Sequence, residues 1–233
     1  MNNSSQKLSV LEKIGYSLGD FAANLIFQTL ITFLAFFYTD IYKIPAGTAS
    51  AIIFFGGFFG AFFNIIMGVI ADRTRTRWGK FRPWILWTSL PFGIMAILAF
   101  STPDFGPNGK VIYALVTYFL LILIYSANNL PYTALGGVLT GNMKERNSLS
   151  SYRFVVVMCA QFISQSLLLP LALIMGHGDK ADGFKNTIII FAIVGVICFL
   201  ITFFTTRERI TPKKEQESTV KQDFIDLSKN RPW

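Results

Sequence analysis

Five cations lie within ten residues of this chain, between two long apolar segments. The cations are Arg73, Arg75, Arg77, Lys80 and Arg82. The flanking segments, 48–71 and 83–99, are each close to the about 20 residues that a helix needs to cross a hydrocarbon core. Short loops rich in Lys and Arg stay on the cytoplasmic side of a membrane because these residues resist translocation. The loop therefore predicts a membrane protein and fixes its orientation.

The composition supports this class. Hydrophobic residues make up 52% of the 233 residues and charged residues only 15%, which is unusual for a soluble domain. The formal net charge of +8 would suit a nucleic-acid-binding protein if the cations formed one patch. They lie instead in loops and tails, so we expect no nucleic-acid partner. With a single histidine and two cysteines inside apolar segments, we expect no metal site and no cofactor.

Six apolar segments are long enough to be transmembrane helices, which predicts an all-α membrane protein. The predicted organisation is a cytoplasmic leader (1–13), a six-helix bundle (14–205) and a cytoplasmic linker (206–233). Within that linker, 223–229 is compatible with a short amphipathic helix on the membrane surface. The predicted spans are 14–37, 48–71, 83–99, 111–135, 152–175 and 187–205.

The cations follow the predicted orientation. One side of the bundle carries two in the leader, five in the basic loop, two at 144–146 and seven from 207 onward. The other side carries only Lys43, Lys110, Lys180 and Lys185. This asymmetry places both termini in the cytoplasm.

Two charged residues, Asp20 and Arg153, fall well inside the predicted spans. An ionised residue at the centre of a membrane helix costs about 2.5–3.5 kcal/mol on insertion scales, so such residues face a partner or a cavity. Asp20 lies seven residues beyond Lys13, and Arg153 lies seven beyond Arg146, so both sit at the same depth. The pair is either a structural ion pair or a pair that binds a polar solute through hydrogen bonds.

Polar residues recur at helical spacing on the first, fourth and fifth helices. Such stripes either form hydrogen bonds between helices or line a central wet cavity. A cavity with hydroxyls, amides, one Asp, one Arg and aromatic faces suits a sugar. The stripes consist of Asp20, Asn24 and Gln28; of Tyr125, Asn129, Tyr132 and Thr133; and of Arg153, Gln161 and Ser164. On the second helix, Gly56, Gly60, Asn64 and Gly68 predict a face for close packing.

Several strings resemble a known transporter family. Residues 68–73, GVIADR, resemble the loop between the second and third helices of major facilitator transporters. The longer string DRTRTRWGKFRPW at 72–84 resembles the glycoside–pentoside–hexuronide:cation symporters. Supporting strings are GDF at 19–21, FYTD at 37–40, NLPY at 129–132, YRF at 152–154 and NRPW at 230–233.

The resemblance implies the N-terminal half of a twelve-helix major facilitator fold in a bacterial inner membrane. It implies a sugar or glycoside substrate, the lipid bilayer as surroundings, and a second six-helix half as partner. It further implies substrate-binding residues, which are Asp20, Asn24, Tyr125, Asn129, Thr133 and Arg153.

At the positions of the family's cation site, this sequence departs from the family's pattern. Its carboxylates fall on Gly60, Asn64 and Asn129 here, and Ser126 matches a hydroxyl position. Sodium needs oxygen ligands and a compensating negative charge, and an amide cannot hold a proton. Asn64, Ser126 and Asn129 therefore predict weak sodium or proton coupling, coupling through other residues, or facilitated diffusion of the sugar.

Two further matters stay open at the level of sequence. Gly68, Asp72, Arg73 and Arg77 belong either to a cytoplasmic gate or to a loop whose cations serve only orientation. The chain is not an enzyme on this reading, and the alternatives to sugar transport are lipid or lysolipid transport and a non-transporting half-transporter.

Overall fold

The fold is a bundle of six long helices, seen in a computed structural model that describes residues 7–210. The predicted amphipathic helix at 223–229, and most of the predicted linker, lie outside the described residues. Each of the six helices is long and apolar enough to cross a membrane. The helices are α1 (Val10–Phe36), α2 (Ala46–Arg73), α3 (Arg82–Ala99), α4 (Pro107–Leu139), α5 (Met143–Gly176) and α6 (Lys180–Thr205).

The prediction of six membrane-spanning helices is confirmed, but several helices are longer than predicted. Helix α5 begins at Met143 rather than 152, and α6 begins at Lys180 rather than 187. Both starts have a side-chain N-cap: Asn142 accepts from the Lys144 N–H, and Asp179 accepts from the Ala181 and Asp182 N–H groups. These caps satisfy backbone donors that would otherwise lack partners.

Helix α1 also extends beyond its predicted span. It begins at Val10, where the Ser9 hydroxyl accepts from the Glu12 N–H, and it continues after Phe36 as one π-helical turn, Phe37–Ile41. The buried Tyr38 of this turn donates its hydroxyl to the Ala114 carbonyl of α4 at 3.2 Å. This contact joins α1 and α4 at the end of the bundle opposite the basic loop.

The helices differ strongly in how much of their surface the bundle covers. Helix α1 packs against α5 and α6, while α3 packs against α4 and α6, and α2 packs mainly against α4. In its most apolar stretch, 56% of α1 is buried, against 22% of α2 and 17% of α5. Helices α2 and α5 therefore each carry more exposed large apolar side chains than any of the other four helices, such as Phe58, Phe62, Phe154 and Phe162.

Candidate functional site

The two charged residues predicted to lie inside the bilayer form an ion pair between α1 and α5. The Arg153 Nε donates to one carboxylate oxygen of Asp20, and its Nη2 lies 3.4 Å from the other. The Asp20 side chain is 7% exposed and the Arg153 side chain 28% exposed. Pairing avoids an isolated buried charge at Asp20, while the Arg153 side chain stays partly exposed.

The pair is one of several polar contacts between α1 and α5, and three of them show the register of the two helices. Lys13 donates to the Ser148 hydroxyl at 2.9 Å, and Thr29 and Ser164 share a hydrogen bond of 2.7 Å. All three contacts join residues that are 133 or 135 positions apart, so α1 and α5 run parallel. The parallel register explains why residues at matched depth in the sequence meet in the structure.

The other predicted substrate residues lie on α1 and α4. Asn24 is half-buried and donates to the Asp20 carbonyl at 2.9 Å. Tyr125 is half-buried and stacks on Phe27 of α1, with ring centroids 4.5 Å apart. Asn129 is half-buried, whereas the exposed Thr133 donates to the Asn129 carbonyl at 2.9 Å. The structure thus gathers Asp20, Asn24 and Arg153 closely, with Tyr125 and Asn129 on the facing helix.

The predicted cation residues are arranged differently. An added Cβ at Gly56 would overlap the Tyr118 ring, and one at Gly60 would overlap Ile122, so α2 and α4 keep a constant offset of 62 residues. This offset places Asn64 at the level of Ser126. The Asn64 side chain is nevertheless exposed, while Ser126 is only 3% exposed.

The glycine stripe of α2 packs along only half of its length. Gly56 and Gly60 are buried against side chains of α4, whereas a Cβ at Gly68 would have no atom within 4 Å. The close-packing prediction therefore fails at Gly68, although Met67 and Ala71 of the same part of α2 are buried. Gly68 has open space beside it.

The basic loop contains its own ion pair. Asp72 accepts from Lys80 at 2.9 Å and has 68% of its side chain exposed. Arg73 and Arg77 are exposed, and the Arg77 guanidinium lies 4.7 Å from the Trp78 ring centroid. These contacts leave the predicted gate residues accessible at the end of the bundle.

The start of α3 is held by a residue that sequence reasoning missed. The Glu208 carboxylate accepts from the backbone N–H groups of Lys80, Phe81 and Arg82 at 2.7–2.9 Å. Asp72, the acidic residue of the basic loop, bonds Lys80 and not the start of α3. A carboxylate at a helix N-terminus satisfies free donors and the helix dipole together. Glu208 lies 128 residues from Lys80, so only the folded chain reveals the contact.

The neighbouring Arg209 ties the same segment to two other helices. Its guanidinium forms a double hydrogen bond to the buried Glu12 of α1 at 2.6 and 2.8 Å. The backbone N–H groups of Arg209 and Ile210 both donate to the Val138 carbonyl of α4 at 3.0 Å. The bond to Glu12 raises the pKa of Arg209. We call residues 206–210 the strap, because they join the ends of α1, α3, α4 and α6.

Comparison with known proteins identifies the family. The sequence profile described as MFS/sugar transport protein matches residues 15–233. The chain belongs to this family. Its members are membrane transporters, which agrees with the six membrane-spanning helices, and the protein is an integral multi-pass membrane protein.

Three relatives place the chain within the family. It is 44% identical to the inner membrane symporter YicJ of Escherichia coli over 98% of the chain and 50% of that protein. It is 40% identical to the putative glycoside/cation symporter YagG of the same organism, over 97% of the chain and 49% of that protein. It is 36% identical to the isoprimeverose transporter of Lactiplantibacillus pentosus, over 95% and 47%. The chain therefore spans about half the length of these relatives and resembles the sugar symporter branch of the family, as its loop motif predicted.

Proposed function

We propose that the protein is a secondary transporter that carries a sugar or glycoside across the bacterial inner membrane. The observation that carries the proposal is the Asp20–Arg153 ion pair between two membrane-spanning helices. A charged pair at this position is costly to desolvate and is weak evidence for stability, but it offers directed hydrogen-bond donors to a hydroxyl-bearing solute. The names of YicJ, YagG and the isoprimeverose transporter support the same function.

In this proposal the solute binds against α1, α4 and α5. Arg153 and Asp20 form the charged part of the site, Asn24 and Asn129 contribute amides, and Tyr125 offers an aromatic face. Thr133, which is exposed on α4, lies at the edge of this surface. Sugars combine hydroxyls with apolar ring faces, so a mixture of hydrogen-bonding groups and an aromatic ring fits them. The proposed partner that completes the site is a second six-helix half.

Uptake into vesicles tests the function. The full-length protein should take up isoprimeverose or a methyl glycoside, and Asp20→Asn should abolish uptake while the protein still inserts and folds. Arg75→Ala is the matched control, because this exposed cation lies in the loop and not in the bundle. Unchanged uptake by Asp20→Asn, or no uptake of any sugar by the parent protein, would contradict the proposal.

We propose further that cation coupling does not pass through Asn64, Ser126 and Asn129. None of these side chains carries a negative charge, and Asn64 is exposed on α2. Sugar uptake should therefore respond weakly, or through other residues, to sodium and proton gradients, with facilitated diffusion as the limiting case. Strong sodium stimulation that Asn64→Ala removes would overturn this part of the proposal.

A further inference from the structure

A cavity of about 480 Å³ opens at the end of the bundle opposite the basic loop. Its walls come from the connection between α1 and α2 and from the connection between α3 and α4. Three charged side chains line it, those of Lys43, Asp104 and Lys110, above apolar side chains that include Ile44 and Val111. None of the proposed sugar-binding residues lines this cavity, so it is a separate feature of the molecule.

The charges around the cavity have no partners of their own. Only four cations are predicted on the external side of the bundle, and two of them, Lys43 and Lys110, line this one cavity. Within residues 7–210, neither lysine nor Asp104 takes part in a salt bridge. Two ammonium groups around a shared space repel each other, and an anion between them removes that repulsion. The unpaired carboxylate beside them favours a cationic group.

The walls of the cavity are held in place by contacts between the two connections. Tyr42 is 2% exposed, and its hydroxyl donates to the Pro103 carbonyl at 3.3 Å. The Ile44 N–H donates to the Tyr38 carbonyl at 2.8 Å. The Lys110 Nζ lies 5.3 Å from the centroid of the Tyr42 ring, which attracts the ammonium group. The cavity is therefore formed before a ligand arrives, which lowers the cost of binding.

The cavity lies at the depth of the lipid headgroups. Helices α2 and α4 both begin beside it and contain 28 and 33 residues. At 1.5 Å per residue they are about 42 and 50 Å long, whereas the hydrocarbon core of a bilayer is about 30 Å thick. The starts of both helices therefore extend beyond the hydrocarbon core into the layer of phosphates and polar groups.

The surface next to the cavity is apolar along the same two helices. Phe55 of α2 is 52% exposed, and Ile112 and Leu115 of α4 are 62% and 43% exposed. Further along, Phe59 of α2 meets Phe119 of α4 edge to face, with ring centroids 6.0 Å apart. A molecule with its charged end in the cavity could lay an apolar chain on this surface, as lipids do at exposed apolar patches of membrane proteins.

We propose that this cavity binds the headgroup of a phospholipid of the outer leaflet that carries a phosphate and a primary ammonium group, as phosphatidylethanolamine does. The phosphate binds between Lys43 and Lys110, and the ammonium group donates to Asp104. A headgroup without an ammonium group leaves Asp104 unpaired, and a quaternary ammonium group has no N–H to donate. The proposal does not depend on the proposed sugar transport.

The lipid site is tested by native mass spectrometry of the full-length protein in detergent, with phosphatidylethanolamine added. Lys43→Asn and Lys110→Gln should each weaken lipid binding about 3- to 10-fold, because each removes one charged hydrogen bond to the phosphate. Asn is chosen at position 43 because Lys43 has a φ of 60°, a conformation that Asn adopts readily. Equal melting temperatures without lipid show that the variants are folded.

Two other cations serve as matched controls. Lys185 is an exposed cation of the external side that does not line the cavity, and Arg75 is an exposed cation of the basic loop at the other end. Lys185→Gln and Arg75→Ala should keep lipid binding within about 2-fold of the parent protein. If they weaken binding as much as Lys43→Asn and Lys110→Gln, the lipid responds to overall charge and the inference is wrong.

The choice of headgroup is tested with three further ligands. Phosphatidylglycerol and phosphatidylcholine should bind more weakly than phosphatidylethanolamine, and Asp104→Asn should remove most of this difference. Equally tight binding of all three lipids by the parent protein would overturn the assignment of the headgroup. Free phosphoethanolamine that binds as tightly as the lipid would assign the cavity to a soluble ligand instead. Sugar uptake is measured on the same variants and should stay unchanged, so a failure here leaves the proposed transport function standing.

Discussion

The polar groups between α1 and α5 and those between α2 and α4 are organised in opposite ways. Asp20 is buried and pairs with Arg153, whose side chain is partly exposed. Asn64 faces outward on α2 although the helix register brings it level with Ser126 of α4. A buried charge must find its partner, whereas an amide can remain in several environments at modest cost. The pairing of charges therefore determines the contact between α1 and α5, and glycine packing determines the contact between α2 and α4.

The largest expected effect comes from breaking the α1–α5 pair. Arg153→Met leaves Asp20 buried without its partner, and the free energy of unfolding should fall by about 3–5 kcal/mol. The double variant Asp20→Asn with Arg153→Met should recover much of this loss, because no unpaired charge remains. Denaturant unfolding followed by tryptophan fluorescence measures both.

Two results would contradict the account of Asp20 and Arg153 as a coupled ion pair. Arg75→Ala, which removes an exposed loop cation, should change the stability by less than about 0.5 kcal/mol. If Arg153→Met behaved like Arg75→Ala, or if the double variant were no more stable than the single one, the pair would not be a coupled buried unit.

The next effect concerns the packing of α2 on α4. Gly60→Leu would force a side chain into Ile122, and overpacking of this kind costs about 1–3 kcal/mol. Gly57→Leu is the matched control three residues away, since a Cβ there meets no atom within 4 Å. Equal melting temperatures for the two variants would contradict the close α2–α4 contact.

An effect of similar size is expected at Gly79, which packs against Glu208 of the strap. Gly79 has a φ of +115°, and a Cβ there would lie 2.5 Å from the Glu208 carboxylate carbon. Gly79→Ala should cost about 1–3 kcal/mol through backbone strain and should separate Glu208 from the start of α3. Hydrogen exchange of the Lys80, Phe81 and Arg82 amides should become faster.

The matched variant at the strap is Glu208→Gln, which keeps the side-chain shape and removes its charge. It should speed exchange of the same three amides less than Gly79→Ala does. Unchanged exchange in both variants would mean that Glu208 does not hold the start of α3.

The smallest effect is expected at the exposed amide of α2. Asn64→Ala should change the free energy of unfolding by less than about 0.5 kcal/mol, because its side chain is open to the surroundings. Sugar affinity should stay within about 2-fold of the parent protein. A larger loss in either measurement would place Asn64 in a functional contact and remove the contrast with the α1–α5 pair.

Sequence reasoning predicted the features that depend on local composition or on charge. Apolar length gave the six helices, and matched depth identified Asp20 and Arg153 as partners because unpaired charges inside a membrane are expensive. The early starts of α5 and α6 were missed, although Asn142 and Asp179 are residues that favour N-caps. In these cases the signal was present in the sequence.

Other features have no local signal. Glu208 looks like one more charge in a polar tail, and only tertiary structure brings it to the start of α3 at Arg82, 126 residues away. Likewise, the stacked rings of Tyr16 and Tyr132 could not be matched without knowing that α1 and α4 meet there. The open space beside Gly68 likewise has no local signal, because a glycine at the same helical spacing as Gly56 and Gly60 looks identical in the sequence.

The central claim is that Arg153, held by Asp20, contacts the transported sugar. Nitrogen-15 NMR of the arginine side chains tests it most directly, with the Arg153 signals assigned by their loss in Arg153→Lys. Saturating isoprimeverose or methyl β-D-glucoside, whichever the full-length protein takes up, should shift the Arg153 Nη signals while leaving those of the loop arginines in place. Unchanged Arg153 signals at a sugar concentration that saturates uptake would contradict the claim.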